Sequence, residues 1–433
     1  MSDCQKLDDS SPLPKPETPR TNWPALAMGL LLSLSSLTLM GIALLLAGLA
    51  FSGMSNLGQG NTLTLLMMAA GTFALGALLM PGAYLNARKF FNLPEPRFSL
   101  RGITPGWLVV TLLVVWVISL AFGNSLVVNP ALSLFVLPVV NVIALTLPMA
   151  MVLVISLRGL SLPSPRRAWS IFGASAVLGP TLAIFFELLA FVSFALLFML
   201  YANWTPGLQI PLRLLLEELQ SETGSMEFIS QQAVTLLLSP GAALFLLGLF
   251  ALAVPVIEEA FKVFLLWFYA GRMRSPVEGF VAGALCGAAF ALAENIGFSS
   301  VGAEGWLANV LTRATAILPH VFNSGLVGWG LVMAWQRRGY VRLGLAYLAA
   351  VLVHGAWNAL SVALALNSIS GFAAEVSPLI ETPLPAAITW GVLVFGILLG
   401  LFLANRQMRR QAVSEAAGDV GYNLPPQPKL NKD

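Results

Sequence analysis

The stretch "AVPVIEEAFKVFLLWF", residues 253–268, decides how the chain is read. It is apolar almost throughout, yet it places Glu258, Glu259 and Lys262 within five residues. Working outward, 57% of the 433 residues are hydrophobic and only 10% are charged. Soluble domains carry about 25% charged residues. Several uninterrupted apolar runs reach or exceed the ~20 residues that cross a bilayer as a helix. The composition therefore predicts an all-α fold, a polytopic transmembrane helix bundle, and the quoted stretch falls inside one of its spans.

Ten spans are expected, at 24–51, 62–86, 105–127, 132–156, 168–201, 236–270, 277–299, 309–335, 341–366 and 385–404. Residues 1–22 are polar and proline-containing and read as a disordered cytosolic tail. They precede an apolar run longer than the ~7–15 residues of a signal h-region, so the first span reads as a retained anchor. The organisation expected is five N-terminal spans in 23–201, an extracytoplasmic segment 202–235, four further spans in 236–366, a last span 385–404 and a cytosolic tail 405–433. Within the outer segment, "LQIPLRLLLEELQ" has leucines at helical spacing. It reads either as an amphipathic helix on the leaflet or as a helical loop packed on the bundle.

Charge placement gives the expected orientation. With the N-terminus inside, the cytosolic segments hold Lys6, Lys15, Arg20, Arg88, Lys89, Arg97, Arg101, Arg158, Arg166, Arg167, Arg272, Arg274, Arg337, Arg338, Arg342, Arg406, Arg409, Arg410, Lys429 and Lys432. That is 20 of the 23 basic residues. Arg213 and Arg313 fall in or near outer segments, which are otherwise acidic, with Glu217, Glu218, Glu222, Glu227, Glu304, Glu375 and Glu381. Such asymmetry predicts both termini in the cytoplasm. The net charge of +3 thus reflects topology and not a nucleic-acid partner. Cys4 and Cys286 lie in a tail and a span, and neither has CxxC spacing.

An ionisable residue inside a span costs roughly 2.5–3.5 kcal/mol or more, so each is a functional hypothesis. The candidates are Glu187, Glu258, Glu259, Lys262, Glu294, His320 and His354, and six of the seven lie in spans six to nine. Glu258 and Glu259 stand i,i+4 and i,i+3 from Lys262, so either can partner it. A pinning ion pair needs one carboxylate; the second adds like-charge cost. Pro255, one turn earlier, removes a backbone donor and is expected to kink the helix. In "FALAENIGF", Phe290 and Glu294 are i,i+4, Asn295 follows, and small residues upstream permit close helix packing. Asn323 follows His320 by three residues and Asn358 follows His354 by four. Counted from the basic flanks at 1.5 Å per residue, Glu258 and His354 come out at ~20 Å, and Glu294 and His320 at ~26 Å, above the cytosolic face. The groups can meet in one layer.

Two carboxylates, two imidazoles, an amide and water suit a hydrolase. A buried carboxylate takes a proton from water, a histidine protonates a leaving amine, and an Asn amide donates to an oxyanion. No GxSxG elbow is present, and the spans contain no Asp.

These motifs resemble the PrsW intramembrane proteases. EExxK is matched by Glu258, Glu259 and Lys262; FxxxEN by Phe290, Glu294 and Asn295; a span histidine by His320; and H-x-x-W-N by His354, Trp357 and Asn358, all in family order over roughly 240–366. The family is related more distantly to the type II CAAX prenyl endopeptidases, which are glutamate-dependent. The resemblance implies a glutamic-type peptide hydrolase in which Glu258 or Glu259 activates water, His354 and Asn358 serve the oxyanion, and no cofactor is needed. It also implies a multi-pass protein of a bacterial plasma membrane that cuts a membrane-anchored protein, such as an anti-sigma factor, near its outer side. Glu294 stands where the CAAX enzymes carry a histidine, and Lys262 replaces an arginine one residue later. Both differences speak against a prenylated substrate. The other readings are a proton-coupled transporter, a non-catalytic membrane scaffold, and an enzyme using zinc held by His and Glu, although HExxH is absent.

Overall fold

The computed structural model describes residues 22–53, 58–96, 105–221, 225–237, 239–297, 305–368 and 383–422. Its helices are α1 (Trp23–Ser52), α2 (Gly58–Phe90), α3 (Pro105–Leu126), α4 (Pro130–Ser156), α5 (Pro165–Trp204), α6 (Gln209–Gln220), α7 (Met226–Leu237), α8 (Pro240–Leu247), α9 (Val254–Lys262), α10 (Pro276–Gly297), α11 (Trp306–Arg337), α12 (Tyr340–Ser368) and α13 (Pro383–Tyr422). Among the described residues, ten helical segments are long and apolar enough to cross a membrane, and each coincides with an expected span. No strand occurs among the described residues.

Helix starts follow local chemistry. Asn22, Asn129, Ser164 and Ser239 each accept from a backbone N–H three residues on, with proline in the first turn. A capping oxygen satisfies an orphan donor, and proline loses nothing there. The last helix continues to Tyr422, so residues 405–422 of the expected tail are helical. The expected tail 1–22 lies almost wholly outside the described residues, as do 298–304, 369–382 and 423–433. In the segment 202–235, expected on the outer side, α6 packs on the bundle: Leu212 is buried with Ala202 of α5 and Leu236 of α7. Ile210 and Leu219 remain exposed.

Burial ranks the spans. The most apolar stretches of α10 and α11 are 89% and 83% buried, whereas those of α1 and α3 are 17% buried and present Leu, Val and Phe outward. Small residues make this centre: Ala282, Ala284, Ala288, Ala289 and Ala291 of α10 are all buried. At Gly287 the two backbones approach so closely that a Cβ would overlap the carbonyl oxygen of His320. Small residues at such a seam let membrane helices gain packing that lipid cannot supply.

Span six is not one helix. It runs α8, a π-helical segment Gly248–Ala253, α9, and a 3-10 segment Phe264–Tyr269. Pro255 stands in the first turn of α9 and offers no N–H to the carbonyl of Ala251. The expected local distortion is therefore present, as a π segment ahead of the proline. Such segments are rare and concentrate at functional sites. Helix α12 covers the irregularity. Asn358 donates to the Phe250 carbonyl at 2.9 Å, and Tyr347 donates to the Val256 carbonyl at 2.6 Å. Gly355 packs against the Ala251 carbonyl, where a Cβ would clash.

Candidate active site within the membrane

Helices α5, α9, α10, α11 and α12, each packed on the next in the ring, surround a cavity of ≈ 460 Å³. Glu187, Glu258, Glu294, His320, His354 and Asn358 line it, one or two from each helix. It extends towards Gly297, Thr312 and Ser361, away from Arg272 and Arg274, which precede α10, and from Arg337 at the end of α11.

The glutamate pair divides. Glu258 lines the cavity, while Glu259 is fully buried behind it. Lys262, itself buried, reaches both: Nζ lies 2.9 Å from Glu258 Oε2 and donates to Glu259 Oε1 at 2.7 Å. One lysine thus serves the two carboxylates, where sequence spacing alone offered a choice between them. The ammonium also lies 4.9 Å from the centre of the Phe290 ring, close enough for a cation–π contribution.

Glu259 holds more than the lysine. Its Oε1 lies 2.9 Å from His354 Nδ1 and accepts from Asn323 Nδ2 at 3.5 Å. Asn323 also donates to the Ala350 carbonyl at 3.0 Å, tying α11 to α12. A carboxylate only accepts, so the short contact sets a proton on His354 Nδ1. Lys262 Nζ, 3.3 Å from the same nitrogen, then has no lone pair to bind there. In neutral His354 the lone pair is on Nε2, which lies 3.8 Å from Glu258 Oε2.

His320 forms the opposite wall. Its Nε2 lies 3.1 Å from Glu294 Oε2, its ring is 5.4 Å from that of His354, and it stacks on Phe290 at 5.8 Å. Glu294 receives a second charge from Arg313, whose Nη1 donates to Oε1 at 3.1 Å. The groups placed by helical rise in one layer do meet in one.

Two expected residues sit differently from the rest. Asn295 is buried outside the cavity and donates to the Arg313 carbonyl at 3.2 Å, which fixes α10 against α11. Asn358 faces the cavity but commits one of its two N–H groups to Phe250. Sequence reading missed Arg313, counting it with the outer segments. Its place seven residues before His320, two turns on one face, is the signal that would have found it. Glu187 was noted as an ionisable span residue but left out of the site; here it approaches Glu258.

Charge makes the cluster unusual. Four carboxyl groups, Glu187, Glu258, Glu259 and Glu294, face two fixed cations, Lys262 and Arg313. Buried like charges require protons or a bound cation to offset them. Glu258, Glu294 and His320 can each present a donor atom within 4.8 Å of the other two. Three N/O ligands with a remaining open position are what a catalytic zinc site uses, so these residues fit a divalent ion.

A family model described as "PrsW family intramembrane metalloprotease" matches residues 171–388. No curated protein and no solved structure gives a significant match. The matched region contains all five helices that ring the cavity, in whole or in large part.

Proposed function

The chain belongs to the PrsW family of intramembrane proteases, and we propose that it hydrolyses a peptide bond of a membrane-anchored protein within this cavity, with Glu258 and His354 handling the protons. The observation that carries the reading is the unequal setting of the two glutamates. Glu258 faces the space a substrate would enter, and Glu259 faces His354 Nδ1.

Water between Glu258 and His354 Nε2 has two acceptors for its proton, 3.8 Å apart. Glu259 fixes the tautomer that leaves Nε2 open and stabilises the imidazolium formed when Nε2 takes the proton. That imidazolium then passes the proton to the leaving amine. Lys262, 2.9 Å from Glu258 Oε2, holds and orients that carboxylate. The remaining N–H of Asn358 and the His320–Glu294–Arg313 group are the polar elements available to the carbonyl oxygen as it gains charge. The proposed substrate is a single-span regulatory protein of the anti-sigma-factor kind, cut near the outer end of its helix. The cavity's extension away from the basic helix ends supports that side.

A second reading is favoured by the family description and by the donor cluster. Glu258, Glu294 and His320 would hold a divalent ion, which when bound supplies a Lewis acid for the scissile carbonyl and makes water more acidic. In that reading Glu259 still orients His354, and Lys262 and Arg313 still offset the carboxylate charge.

The test is cleavage of a single-span substrate by protein reconstituted in liposomes. Glu258→Gln and His354→Ala should each abolish cleavage while the protein stays folded; persistence in both ends the proposal. Activity unchanged by chelation supports the glutamate reading. Loss on chelation that zinc restores, with stoichiometric zinc lost in Glu294→Gln, supports the metal reading.

A further inference from the structure

A second cavity, of ≈ 530 Å³, lies at the opposite end of the bundle, between the start of α1, the end of α2, the start of α5 and the 3-10 end of span six. Arg166, Arg167 and Arg272 line it, and no acidic side chain does. Arg166 and Arg167 have carboxylate neighbours outside its wall, Glu95 at 3.1 Å and Glu278 at 3.8 Å. Arg272 is exposed and has no ion pair among the described residues. The floor is polar and buried: Asn86 donates to Ser170 Oγ at 2.7 Å, which leaves the Ser170 hydroxyl proton free for an acceptor. Arg167 is held in place over the Tyr269 ring at 5.4 Å.

The remaining wall is apolar, from Met28, Leu31 and Phe268. Phe268 is 64% exposed. A site for a soluble anion needs no such wall. Guanidinium groups beside buried polar donors, next to an open apolar face at the helix ends, match a phosphate carrying acyl chains. We propose that this cavity binds the headgroup phosphate of an anionic phospholipid, with an acyl chain lying along Leu31 and Phe268.

Native mass spectrometry of the full-length protein, released from neutral detergent with added lipid, tests this. Dioleoylphosphatidylglycerol should be retained and dioleoylphosphatidylcholine lost. Arg272→Gln, which breaks no ion pair, should weaken phosphatidylglycerol retention about five-fold, and Arg166→Gln with Arg272→Gln about 25-fold, at roughly five-fold per arginine. Arg274→Gln, outside the cavity, should leave it unchanged. Displacement of the lipid by millimolar inorganic phosphate would mean a soluble anion site and overturns the proposal. So does equal retention of the two lipids, or retention indifferent to both cavity variants.

Discussion

Glu258 and Glu259 are chemically identical neighbours in sequence, and they sit in different surroundings: Glu258 lines the cavity and Glu259 is fully buried. Glu258→Gln removes a proton acceptor at the cavity wall, while Lys262 keeps Glu259 as partner. The expected outcome is a 10²–10⁴-fold fall in kcat, about the range for loss of a general base, with the melting temperature nearly unchanged. Glu259→Gln acts differently, because it strips charge from a fully buried carboxylate that binds Lys262, His354 and Asn323. Breaking a buried pair costs about 3–5 kcal/mol, and loss of an orienting carboxylate costs about 10–100-fold in activity. Thermal unfolding in detergent beside single-turnover kinetics separates the two variants; equal melting temperatures would contradict the assignment.

The elements that bring these residues together depend on one close approach. Gly355 lies between His354 and Asn358 on α12 and touches the Ala251 carbonyl of the π segment. Gly355→Ala should push α12 off span six, destabilise by about 1–3 kcal/mol as overpacking does, and misplace His354. Gly344→Ala, on the same helix with nothing within 4 Å, should be silent; melting curves of the two variants make the comparison. The ten spans were legible in sequence because apolar runs must be long to cross lipid. So were Glu258, Glu294, His320 and His354, because an ionisable group at that depth is costly. Arg313 was not, because near a span end an arginine that snorkels outward and one that turns back to a carboxylate look alike. Nor was the distribution of Lys262 over both glutamates, since helical spacing permits each contact and only the packing of α10 and α12 selects their combination. Pro255 announced a distortion, but not that α12 would supply the hydrogen bonds to cover it.

At the scale of the whole molecule, the charge asymmetry predicts an orientation that labelling can check. In a Cys4→Ser background, where Cys286 is buried, Glu217→Cys on exposed α6 and Arg410→Cys on exposed α13 should react with an impermeant maleimide from opposite sides of the membrane. Reaction from one side would overturn the topology. The burial of the site has a further consequence, for the substrate of the proposed reaction. A helix about 10–12 Å wide keeps its backbone, on a cylinder of radius about 2.3 Å, behind its side chains, whereas Glu258 and His354 are recessed within the ring, 7% and 4% exposed. A transmembrane substrate would have to unwind before its bond could reach them. Discrimination would then rest on how readily a partner's helix comes apart near the cut. Glycine or proline placed two or three residues from the cut should accelerate cleavage, and an unbroken leucine–alanine run should resist it even when its side chains are matched.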